Sequence, residues 1–224
     1  MEMTAAAEWL NGFFSGMDLG ILSLMHTLAV YLGVVLTPLC RAVTLIGEKG
    51  IVFFLISLVL MCRAKTRPLG VCIFGAVCCG ALITNIALKD MVARPRPFET
   101  LTVYRSWWEF IGSPAEDGFS FPSGHVTAAA AGMSAICFMR GRKWILPSVG
   151  VVLLMAFSRN YLMAHYPSDV LAAALIGVFS GLAAWLITML IFGFLGSRPK
   201  GNRFAEFVMG FDLPLPYLGK KPKH

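Results

Sequence analysis

Long apolar runs separated by short polar blocks restrict this chain's fold more than any other feature. Six such runs can be drawn, over residues 19–40, 50–62, 69–88, 124–139, 144–162 and 170–195. A hydrocarbon layer about 30 Å thick offers the backbone no hydrogen-bond partner, so whatever enters it must be helical or a closed barrel. The runs are continuous rather than alternating, which selects helices. With 57% hydrophobic and 14% charged residues and a mean hydropathy of +0.73, the 224 residues read as an integral membrane protein. The expected fold is all-α: a polytopic bundle of six transmembrane helices over residues 1–196, followed by a cytoplasmic, loosely ordered basic tail at 197–224. The second run is short, and the first holds His26 and Pro38. If that first helix lies in the interface, five spans result. No Lys or Arg precedes Arg41, so the basic start of a signal peptide is missing and the first run is expected to be retained.

The formal charge of +7 does not form a basic face for nucleic acid, which is excluded as a partner. The cations fall in short clusters between apolar runs, where they report topology. Twelve of the nineteen Lys and Arg residues lie in the 62–68 and 140–144 turns and the tail, with only Glu206 and Asp212 as acids there. The positive-inside rule places that side in the cytoplasm. The other side then faces outward, and it carries three polar blocks: 89–97 (KDMVARPRP), 122–125 (PSGH) and 158–169 (SRNYLMAHYPSD). The outer loop 98–121 carries Tyr104, Trp107, Trp108 and Phe110, suited to an interfacial anchor or a partial lid. Ala128 to Gly132, Gly177 and Gly181 mark close helix contacts. The six cysteines sit within or beside apolar runs, without ligand spacing, and read as small buried hydrophobes.

Charge at a membrane boundary is costly, so three such blocks on one face call for a chemical reading. A lone boundary Lys or Arg usually just reaches back to the interface. Lys89, Arg96 and Arg159 beside two histidines instead suit the oxygens of a phosphate, which arginine binds two at a time. The PSGH block falls where a helix begins, and free N–H groups there form a natural anion site. Gly124 permits close approach and Ser123 adds a donor. His165 and Asp169 lie four positions apart, with Pro167 suited to a first helical turn. That spacing lets Asp169 accept a hydrogen bond from one imidazole nitrogen and leaves the other free to attack phosphorus. In isolation such a pair is also a common helix cap.

Together the blocks resemble the signature of the type 2 phosphatidic acid phosphatase superfamily: K-x6-RP, PSGH and SR-x5-H-x3-D. Lys89, Arg96 and Pro97 match the first part, residues 122–125 the second, and Ser158, Arg159, His165 and Asp169 the third. The resemblance implies a metal-independent lipid phosphatase without a cofactor, working through a phosphohistidine. His165 would be the nucleophile, Asp169 its orienting group, and His125 the acid for the leaving oxygen. Lys89, Arg96, Ser123, Gly124 and Arg159 would hold the phosphoryl oxygens, with Arg94, outside the strict signature, as an assisting cation. The compact chain is similar to bacterial undecaprenyl diphosphate phosphatases; phosphatidic acid and phosphatidylglycerol phosphate are the alternative substrates. An anion transporter would string its charges along a path, whereas here they gather at one end.

Overall fold

Every apolar run forms a helix, yet the first two do not form separate passes. The computed structural model describes residues 3–198 and 202–213, and among them all regular structure is helical. Helix α1 (Ala5–Phe13) starts on a Thr4 cap, and α2 (Ser15–Ile46) follows. After a break at residues 47–50 comes α3 (Ile51–Met61), then α4 (Arg67–Ala81), which continues through a π-helical stretch (Leu82–Leu88) into α5 (Lys89–Val92). The connecting region holds α6 (Pro97–Thr100) and α7 (Thr102–Phe110). Helices α8 (Gly124–Arg140), α9 (Ile145–Tyr161) and α10 (Pro167–Gly196) complete the bundle, and α11 (Arg203–Gly210) follows. Ser15–Met61, Arg67–Thr100 and Pro167–Gly196 are each long and apolar enough to cross a membrane.

The start of α2 lies at the polar end of the bundle, where Asp18 meets Arg94 and Ser168. The end of α3 lies at the opposite end, against Gly70 near the start of α4. Residues 15–61 therefore travel the bundle once, as an interrupted pass, where the sequence suggested two. The interruption is a left-handed pair, Lys49 (φ 49°) and Gly50 (φ 70°). Gly50 is buried, and a Cβ there would sit 3.0 Å from both Val77 and Ala128. Both the start and the end of α2 lie at the polar end, since Thr44 reaches Ser158 (3.1 Å) as Asp18 reaches Ser168, and α3 makes the run from there to the Gly70 end.

Helix α8 is the central element and packs on α4, α9 and α10. Its contact with α10 depends on small residues, as the sequence indicated. A Cβ on Gly177 would lie 2.5 Å from Ala130 Cβ and 2.7 Å from the Thr127 carbonyl. One on Gly181 would lie 2.0 Å from Ser134 Oγ. The aromatic region is fastened to α2 rather than free: Trp107 stacks on His26 and the Arg41 guanidinium donates to the Ile111 carbonyl (2.8 Å). All six cysteines are unpaired.

Part of the tail departs from the loosely ordered segment expected. Residues 202–213 include α11, whose Val208 and Phe211 carbonyls accept from Arg67. The Asp212 carboxylate accepts from the Ala64 N–H (2.6 Å) and the Leu213 N–H donates to the Cys62 carbonyl (2.9 Å). These partners are far apart in sequence, so no local pattern announces them. Lys200 and residues 214–224, with Lys220, Lys221 and Lys223, lie outside the described residues.

Replacing Gly177 by Val should weaken the bundle by about 1–3 kcal/mol, because backbone atoms rather than flexible side chains meet the new group. A thermal melt in detergent should show a clear loss for Gly177→Val. The same melt should show little change or a gain for Gly193→Ala, whose Cβ meets nothing within 4 Å.

Candidate active site at the polar end of the bundle

Five helix ends, those of α5, α6, α8, α9 and α10, meet at the polar end around one cavity. The π-helical stretch delivers Lys89 as the first residue of α5. The backbone then turns through Ala93 (φ 48°), and Arg96 caps α6, with its own N–H donating to Glu99 (2.8 Å). Ser123 is the residue before α8, so Gly124 and His125 occupy its first turn with free N–H groups. The last turn of α9 carries Ser158 and Arg159, and Pro167 opens α10 with Asp169 in its first turn. Lys89, Arg96, Gly124, His125, Arg159 and His165 line a cavity of about 680 Å³. Thr44 near the end of α2, and Glu48 and Lys49 in the break after it, also line it.

The electrostatics centre on one carboxylate. Glu116 bridges the two buried guanidiniums, 2.5 Å from Arg159 Nη2 and 3.3 Å from Arg96 Nη1. Arg96 is held further by the carbonyls of Ala164 (2.7 Å), Asp117 (2.6 Å) and Gly118 (2.9 Å). Among the described residues, Ser123 Oγ, His125 Nε2 and Arg159 Nε are buried without a hydrogen-bond partner. A buried polar atom left unpaired costs about 1–3 kcal/mol. Three of them contributed by two of the motifs mark a place built for a polar ligand.

The contact expected between His165 and Asp169 is indirect. His165 Nδ1 lies 3.9 Å from the Asp169 carboxylate but 2.7 Å from the carbonyl oxygen of Ser120. A carbonyl can only accept, so Nδ1 carries the hydrogen and Nε2 keeps its lone pair. The Ser120 hydroxyl donates to Asp169 Oδ2 (2.5 Å), joining the two groups at one remove. Asp169 Oδ2 also accepts from the Tyr166 N–H (3.0 Å), because a carboxylate in a helix's first turn is drawn to the free N–H groups there. Ser120 escaped the sequence reading because it orients the imidazole through its backbone, which leaves no residue signature. Its own N–H donates to the Arg94 carbonyl (2.7 Å). Arg94 does not line the cavity: its guanidinium lies behind Asp169, 2.6 Å from Oδ1.

Burial, and secondarily the charges of Arg159 and Arg96, hold the His165 imidazole well below its usual range. It is therefore neutral near pH 7, with a nucleophilic lone pair.

Residues 69–192 match the family profile described as the PAP2 superfamily. The chain is 42% identical over 103 residues to phosphatidylglycerophosphatase B of Haemophilus influenzae, covering 42% of this chain and 37% of that one. It is 32% identical over 142 residues to undecaprenyl-diphosphatase BcrC of Bacillus subtilis, covering 63% and 65%. A lipid A 1-phosphatase of Rhizobium johnstonii is 30% identical over 179 residues, covering 74% and 69%. The chain thus spans from about a third to just under two thirds of the length of the first two relatives. No solved structure gives a significant match.

The lowered His165 pKa has a defined consequence for stability. Below about pH 6.5 the unfolded chain takes up a proton at this site that the folded chain refuses, so stability falls with pH. The loss from this group is at most about 1.4 kcal/mol per pH unit. Melts at about pH 7.5 and about pH 5.5 should show a smaller acid penalty for His165→Gln than for the natural protein. An equal penalty would mean that His165 is not held neutral.

Proposed function

The chain belongs to the PAP2 superfamily, and on that premise we propose that it is a membrane phosphatase that removes phosphate from a lipid phosphate or diphosphate through a phosphohistidine at His165. The observation that carries this reading is the convergence of His165, His125, Lys89, Arg96 and Arg159 on one cavity. The Nε2 lone pair of His165 attacks phosphorus and the bond to the lipid-side oxygen breaks. His125, protonated once the charge of the bound phosphate offsets the cations around it, gives that oxygen its proton from Nε2, which has no other partner. Water then attacks the phosphorus, the P–N bond breaks, and the water's proton passes to His125. Lys89, the two arginines, the Ser123 hydroxyl and the N–H groups at the start of α8 balance the charge on the phosphoryl oxygens.

Polyprenyl diphosphate is the substrate this reading puts first. Lys49, Lys89, Arg96 and Arg159 line the cavity against Glu48, Glu116 and Asp117, and with Glu116 displaced by the incoming anion the cations outnumber the carboxylates by two, which suits a diphosphate. Phosphatidic acid and phosphatidylglycerol phosphate are the alternatives. Five crossings, with the single interrupted pass counted once, fit the helix arrangement better than six. With Arg63, Lys65, Arg67, Arg140, Arg142 and Lys143 at the far end, the positive-inside rule supports a site facing away from the cytoplasm.

Glu116 occupies both guanidiniums that the phosphate needs, so the incoming anion exchanges with it. Like charges could not share the cradle at this spacing.

Purified protein offered a panel of lipid mono- and diphosphates should release phosphate, with the highest kcat/KM for the polyprenyl diphosphate. His165→Ala should abolish release, and a chelator should leave the natural protein unaffected. Full activity in His165→Ala would remove the covalent mechanism, and chelator sensitivity would mean that a metal takes part. A second prediction concerns the exchange. Glu116→Gln keeps a hydrogen-bonding group but removes the competing charge. Inhibition by orthovanadate should then tighten by about fivefold or more, equivalent to about 1 kcal/mol. Unchanged or weaker inhibition would show that Glu116 does not compete with the anion.

A further inference from the structure

The nucleophile's carboxylate has a second carboxylate behind it. Arg94 is buried, and its guanidinium joins Asp169 to Asp18: Nη1 lies 2.6 Å from Asp169 Oδ1 and Nη2 lies 2.9 Å from Asp18 Oδ2. Its remaining contacts are also committed. Nη1 donates to Ser168 Oγ (2.7 Å), Nε donates to Asn11 (2.8 Å), and the guanidinium lies 3.8 Å from the centre of the Tyr166 ring. Asp18 is equally constrained. It accepts from the Ser168 N–H (2.9 Å) and the Ser168 hydroxyl (2.7 Å), both in the first turn of α10.

Such a buried triad is a poor way to gain stability. Removing three charged groups from water is costly, and well-packed apolar side chains often hold a core as well or better. What a triad provides is fixed geometry, since a planar guanidinium bridging two carboxylates leaves neither free to rotate. Here the fixed geometry leads to the reacting nitrogen. Contacts run from Asp18 to Arg94 (2.9 Å), to Asp169 (2.6 Å), to the Ser120 hydroxyl (2.5 Å), and through the Ser120 carbonyl to His165 Nδ1 (2.7 Å). Because Asp169 does not touch the imidazole, its effect on His165 depends on where the Ser120 bridge is held. Asp18 anchors that bridge from the far side.

We infer that Asp18 and Arg94 are positioning residues for phosphoryl transfer, holding the Asp169–Ser120 clamp that aims His165. Arg94 does this from behind the carboxylate and is not a phosphate ligand. Asp18 lies outside the 69–192 match and outside all three motifs. It makes the first pass part of the site: Asn11 and Asp18 grip Arg94, and Thr4 donates to the Val92 carbonyl. The inference rests on the phosphatase reading above.

The test uses the full chain in detergent with the best lipid substrate from the panel. Asp18→Asn should lower kcat by about tenfold while KM and the vanadate inhibition constant stay within about twofold, because the phosphate cradle is untouched. Rapid-quench labelling of His165 should slow by the same factor. Asp18→Glu should recover most of the lost kcat. Arg94→Lys should lose at least as much, and adding Asp18→Asn to it should cost little more, since the two act through one another. If Arg94→Lys does not fold, the Asp18 pair still decides. A normal kcat in folded Asp18→Asn overturns the inference. So does a loss that Asp18→Glu fails to recover, or one confined to KM. Failure of the natural protein to release phosphate from any lipid would instead refute the phosphatase reading itself.

Discussion

Hydrocarbon leaves backbone and charge with only the protein itself as partner, and the arrangement of this molecule follows from that constraint. Helices satisfy their own backbone, so the apolar runs need only one another, and small residues let α8 and α10 meet almost backbone to backbone. The buried charged groups have no such latitude. They gather at one end, where each guanidinium finds a carboxylate or several carbonyls: Arg94 with Asp18 and Asp169, Arg96 and Arg159 with Glu116.

Two layers of charge result, and they differ in what they leave open. The inner layer, Asp18–Arg94–Asp169, is closed, with its contacts committed among the elements it joins. The outer layer is not. Arg159 Nε, Ser123 Oγ and His125 Nε2 are buried without partners, and Glu116, 13% exposed, is the carboxylate that holds both guanidiniums. On the proposed mechanism, a closed inner layer supporting an exchangeable outer one is a physical basis for binding a phosphate without disturbing the group that attacks it.

The first pass connects the two layers to each other. Its start supplies Asp18 to the inner layer, and its break supplies Glu48 and Lys49 to the cavity wall. One segment therefore touches both the buried triad and the cavity, although it lies outside the residues that match the family.

The sequence by itself determined the helical class, the six apolar runs, the small-residue contacts and the cavity-lining residues of the three motifs. Each of these is written in local composition or in fixed spacing along one segment. Only the tertiary structure decided that the first two runs make one pass, since a break of four residues reads the same whether the chain reverses or continues. It alone decided that Ser120 carries the contact to His165, because a backbone carbonyl belongs to every residue and is selected only by position. Arg94 looked like another phosphate cation until its neighbours were known. A guanidinium's task is set by which anions surround it, and Asp18, 76 positions earlier, is nowhere near it along the chain.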